Sequence, residues 1–133
     1  MIHGIGSDII NIKRIESAYK KYGTRFLNRI YSSNELEYYK KILNPHKAIN
    51  FLAKRFAAKE AFSKAFGTGI RGGISFKEIE VNNDALGKPL ICLYGKTKQI
   101  VDGYFENKSY TIFVTLKDED HYALAFVVIE YTR

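Results

Sequence analysis

Glu60 and Lys64 stand four residues apart in the segment RFAAKEAFSKAF, so a carboxylate and an amine share one face of any helix formed there. On a solvated surface such a pair contributes only about 0.2–0.5 kcal/mol. On a helix with little polar face, the same charges need a partner, a metal or a ligand. At ~100° per residue, Ala53, Phe56, Ala57, Glu60 and Lys64 fall on one arc, while Phe62, Ala65 and Phe66 fall on another. Most of that circumference therefore asks for burial. Asp8 is the second notable acid. It follows Gly4-Ile5-Gly6, where missing side chains let a backbone or a ligand come close. A cap or turn role explains Asp8 equally well. The loops GTGIRGG (67–73) and Gly87-Lys88-Pro89 either aim backbone N–H groups at a phosphate or merely reverse the chain. Neither matches the P-loop or dinucleotide fingerprint. His3, His46 and His121 lack metal-ligand spacing, and Cys92 reads as a core residue.

These residues need elements to hold them. IHGIGSDII (2–10) predicts a strand ending near Asp8, with Asn11 as N-cap of a helix running to Tyr22 and Gly23 as its αL stop. Ser32 and Glu35 have capping-box spacing and announce a second helix, which must end before Asn44-Pro45. The third helix, from about Lys47 to Phe66, is free of glycine and proline and stops at Gly67. ISFKEIEV (74–81) and LICLY (90–94) read as strands joined by a connection over 82–89, and 96–106 has a weak helical pattern. TIFVTL (111–116) and HYALAFVVIEY (121–131) form a terminal hairpin around 117–120. Helices early and strands late argue an α+β fold, helices packed on an antiparallel sheet, in one domain over 1–133. Strand-rich halves with apolar edges also favour a homo-oligomer.

A hydrophobic share of 46% with 26% charged residues is globular and excludes disorder. No apolar run reaches the ~20 residues of a membrane span, so no membrane role is expected. MIHGIGSDII lacks the basic start and cleavage site of a signal peptide, and one cysteine allows no internal disulfide, which together predict a cytoplasmic address. The net charge of +7 attracts anionic partners of several kinds. The basic residues are dispersed and carry no nucleic-acid motif, so no nucleic acid is expected as partner. A basic nucleic-acid-binding module stays as a competing reading, recognisable by a steep salt dependence on unrelated duplexes.

The order of five segments says more. GIGSDI, RFAAKEAFSKAFGTGI (55–70), ISFKEIEV, NDALGKP (83–89) and VTLKDEDHYALAFVVIE (114–130) together resemble the holo-acyl-carrier-protein synthase family of 4′-phosphopantetheinyl transferases, over essentially the whole chain. The resemblance implies transfer of phosphopantetheine from coenzyme A to a serine of apo acyl carrier protein, with release of adenosine 3′,5′-bisphosphate. It also implies a homotrimer with active sites between subunits. By that likeness Asp8 and Glu60 hold Mg²⁺, Lys64 contacts the phosphates, and Glu60 or a metal-bound water takes the serine proton. Coenzyme A would also meet Gly67, Gly87, Lys88 and Pro89. The acidic carrier would dock on Arg14, Arg25, Phe26 and Arg29, whose alternative is a solvated face with one packed aromatic. One position departs from the pattern: Phe113 stands where the family commonly carries histidine, and alternation puts it on one face with Thr111 and Thr115. A coenzyme A-binding homologue with lost or weak transfer activity is the reading that this departure motivates.

Overall fold

Small residues decide how closely the main helix and sheet approach. The computed structural model describes residues 1–106 and 108–132. Strand β1 (Ile2–Asn11) continues into helix α1 (Ile12–Tyr22), capped by the Asn11 side chain accepting from the Lys13 amide. Helices α2 (Thr24–Ile30), α3 (Ser33–Lys40) and α4 (Pro45–Phe66) follow, then β2 (Ile79–Asn83), β3 (Pro89–Leu93), α5 (Gly95–Tyr104), β4 (Tyr110–Glu119) and β5 (Tyr122–Tyr131). The strands form an antiparallel three-stranded sheet in the order β1-β5-β4 and a separate β2-β3 hairpin. The α+β expectation therefore holds. Helix α4 lies against β1 and β5. On the helix side of β5, Ala123, Ala125, Val127 and Ile129 are fully buried. They join Ala57, Ala58, Ala61 and Phe62 of α4 in a core to which all the other helices contribute, α5 through Val101 and α3 through Leu36 and Tyr39 at its margin.

Gly4 and Gly6 explain the close contact of β1 with α4. A Cβ on Gly4 would run into the Ala65 carbonyl oxygen, and one on Gly6 into that of Ala61 and, at 2.6 Å, the Ala65 amide nitrogen. The close approach foreseen for this glycine pair is thus made by helix backbone. β5 is central, and its other face is uncovered. There Ile5, Ile9, Phe113, Leu124 and Phe126 are 41–63% exposed, with Ile5 and Phe113 both opposite Val128. Phe113 shares this outer face with Thr111 and Thr115, as alternation predicts.

Several boundaries differ from the sequence reading. Gly23 has φ 59° and ψ −132°, so it is not an αL stop; its carbonyl accepts from Phe26 and starts the short α2, which the sequence reading lacks. Pro45 occupies the first turn of α4, where its missing N–H costs nothing, and Asn44 caps it. Residues 76–78 form a 3-10 turn, so the strand expected at 74–81 begins only at Ile79. β1 runs past Asp8 to Asn11, and β3 starts at Pro89. Lys117–Glu119 belong to β4, leaving Asp120-His121 as the hairpin turn with Asp120 at φ 53°. The capping box of Ser32 and Glu35 and the αL conformation of Gly67 are as expected.

Candidate active site

Asp8 reaches the site from β1, while Glu60 and Lys64 come from successive turns of α4. The expected Glu60–Lys64 pair is not what forms. Lys64 Nζ donates to Asp8 Oδ1 at 3.0 Å and to the Ser7 carbonyl at 3.2 Å. The glycine-lined contact brings Asp8 within reach of the lysine, and this strand-to-helix ion pair replaces the one along the helix. Asp8 is mostly covered in it, Lys64 half exposed. Glu60 is left without an ion pair of its own among the described residues. Burial, with the negative charge of Asp8 second, raises the Glu60 carboxyl above its usual range; Lys64 and then Arg14 pull it back. Arg14 therefore belongs to the electrostatics of this cluster, apart from the other expected docking residues.

A carboxylate whose ionisation is opposed by burial and by a neighbouring acid, as Glu60 is, is suited to a divalent cation. Mg²⁺ commonly takes one or two protein carboxylates and completes its shell with water and substrate phosphate. Asp8 and Glu60 fit that requirement, and Lys64 and Arg14 place positive charge beside them. The described residues contain no group of three or more acidic, histidine or cysteine ligands. Two carboxylates are what the site offers.

The other expected residues separate into three places. Arg25, Phe26 and Arg29 line a groove of about 420 Å³ with Tyr22, Ile30 and Phe76, a basic rim around an apolar floor. Gly87, Lys88 and Pro89 lie at the β2-β3 turn, organised by Asp84, whose Oδ1 accepts from Leu86 and Lys88. Among the described residues no hydrogen bond or ion pair links this turn to Asp8, Glu60 or Lys64. Gly67 ends the site helix, but its amide and that of Gly69 both donate to the Ser63 carbonyl. Those two N–H groups are engaged at the helix end. Lys59 escaped the sequence reading altogether, and Glu35 was read only as a capping residue, not as its partner. Both are fully buried and joined at 2.7 Å. The signal available for Lys59 was its place between the two apolar arcs, where no solvated face remains.

Comparison with known proteins decides the family. The profile of the 4′-phosphopantetheinyl transferase superfamily matches residues 4–127. The chain belongs to that family. Holo-acyl-carrier-protein synthase of Escherichia fergusonii is 47% identical over 129 residues, covering 97% of this chain and 98% of the relative, and an Escherichia coli counterpart is 46% identical over the same length. The synthase structure from Neisseria meningitidis superposes with a TM-score of 0.87 at 44% identity, covering 98% of this chain and 99% of the other. That from Bacillus anthracis, solved in complex with CoA (3′,5′-ADP), gives 0.81 at 37% identity, covering 99% of both chains. The transferase thus shares its fold and nearly its full length with holo-acyl-carrier-protein synthases, and it is an enzyme of that class.

Proposed function

We propose that the transferase moves the 4′-phosphopantetheine arm of coenzyme A onto a serine hydroxyl of apo acyl carrier protein, acting in the cytoplasm as one domain over 1–133. The observation that carries this reading is the cluster of Asp8, Glu60 and Lys64, assembled by the β1–α4 contact. The serine oxygen forms a bond to the β-phosphorus of coenzyme A, the pyrophosphate P–O bond breaks, and adenosine 3′,5′-bisphosphate leaves. Glu60, raised by burial, accepts the serine proton directly or through a water. Lys64 exchanges Asp8 for the phosphate oxygens and offsets charge there. Mg²⁺ bound to Asp8 and Glu60 would neutralise the pyrophosphate. Incubating the protein with coenzyme A, Mg²⁺ and apo carrier should raise the carrier's mass by one phosphopantetheine, and chelating the metal should prevent it. An unchanged mass across several carriers, with coenzyme A still bound, would leave the reading of a binding homologue, which Phe113 favours.

The groove around Phe26 fits an acidic carrier with an apolar contact, since Arg25 and Arg29 supply the complementary charge. Arg29→Glu should raise the carrier's KM about tenfold and leave that of coenzyme A unchanged, a difference that high salt shrinks. The exposed outer face of the sheet supports a homotrimer. It would explain why Gly87–Pro89 and Phe113 stand apart from Asp8 on one chain: a site between subunits takes them from a neighbour. Phe126→Lys on that face should reduce the mass seen by light scattering to 15.3 kDa and remove transfer with it. A variant that remains oligomeric would place the subunit contact elsewhere.

A further inference from the structure

Resting on the proposed transfer reaction, we infer that Lys59 is a positioning residue: it fixes the floor of the docking groove at a set distance from Glu60, its neighbour in the chain. Lys59 Nζ donates to Glu35 Oε1 at 2.7 Å, to the Phe76 carbonyl at 2.9 Å, and to the Ile79 carbonyl. All three of its protons are used. Glu35 is satisfied in turn, accepting from the Ser32 amide on Oε1 and the Val81 amide on Oε2, each at 2.8 Å. One side chain of α4 therefore holds α3, the 3-10 turn and β2. Phe76, held by its backbone, lines the groove with Arg25, Phe26 and Arg29. Its ring stacks on Phe56, one turn before Glu60, at a centroid distance of 5.1 Å.

Stability does not account for this arrangement. A buried ion pair often gives no more than well-packed apolar residues of the same volume, because desolvation offsets the attraction. An apolar pair would not provide direction. Three N–H vectors from one nitrogen define where the Phe76 and Ile79 carbonyls stand relative to the helix that carries Glu60. A serine presented by a docked carrier must arrive near the reacting phosphorus, and displacement of about 1 Å is enough to cost a large factor in rate.

The test is a double-mutant cycle on transfer kinetics with Lys59→Arg and Phe76→Ala. Arginine keeps the charge and the contact with Glu35, but its planar fork cannot place three donors from one atom. Lys59→Arg should fold with an unchanged far-UV spectrum, lower kcat/KM for the carrier at least tenfold, and leave the affinity for coenzyme A within twofold. In the Phe76→Ala background the same change should have little further effect, since both act through the groove floor. Additive losses, equal losses for carrier and coenzyme A, unchanged kinetics, or a Lys59→Arg chain that fails to fold would each overturn the inference and make the contact purely structural. A parent protein inactive on every carrier defeats the transfer reading itself, which the cycle's starting point reveals separately.

Discussion

Glu60→Gln should abolish phosphopantetheinyl transfer, by on the order of 10³-fold or more, while raising the thermal stability of the ligand-free protein. The first effect follows from losing the proposed metal ligand and proposed base in one change. The second follows from the direction of the Glu60 shift. Its carboxyl is raised in the folded state, by burial first and by Asp8 second. Between the ordinary carboxylate pKa and the raised folded value, the folded protein binds more protons than the unfolded chain. Stability therefore falls as pH rises through that window, and the whole cost is present above it. The neutral glutamine removes it. Melting curves of parent and variant should converge at low pH, where Glu60 is protonated in both states, and separate above the window. A variant that melts below the parent above that window would show that the carboxylate is a net stabiliser, contrary to the shift. Full activity in Glu60→Gln would remove this residue from the mechanism.

Gly6→Ala should destabilise the protein severely. The added Cβ would overlap the Ala61 carbonyl and lie 2.6 Å from the Ala65 nitrogen, both helix backbone that cannot rotate away. Strand and helix must part, at a cost of about 3 kcal/mol or more. For a domain of this size that lowers the melting temperature on the order of 10 °C. Asp8, two residues along β1, moves with the strand, so its 3.0 Å bond to Lys64 is lost as well. Gly103→Ala is the control. It lies in α5 with open space where a Cβ would be, and the better helix propensity of alanine should stabilise by up to about 1 kcal/mol. Calorimetry on the two variants distinguishes a close-contact role for Gly6 from a general intolerance of alanine.

Local signals wrote most of the frame into the sequence. Ser32 and Glu35 announced α3 because capping is a contact between neighbours in the chain, and Gly67 announced the end of α4 for the same reason. Alternation placed Phe113 with Thr111 and Thr115. What escaped was decided at a distance or by a dual role. Gly23 both ends α1 and accepts the first bonds of α2, so an end signal concealed a beginning. Lys64 turned from Glu60 to Asp8 because a strand 56 residues away in sequence lies against its helix. Lys59 resembles a surface lysine in any list of helix residues; only Glu35, Phe76 and Ile79 reveal why it is buried. The family resemblance supplied roles that patterning left open, while the geometry shows which of those residues meet on one chain.

The sheet order has a consequence for how the protein comes to be active. Asp8 is registered against Ala125 of β5, and β4 lies on the other side of that same strand. The acid at one end of the chain is thus set in place by a partner far along it, and contacts of such long span close late and slowly. Until β5 is synthesised and inserted, α4 can form with its Glu60 and Lys64 but has no strand edge to fix Asp8 against it. A nascent chain ending before Tyr122 should accordingly be helical but inactive in transfer. Placing the last strand is thus the step that holds Asp8 against Lys64 within one chain.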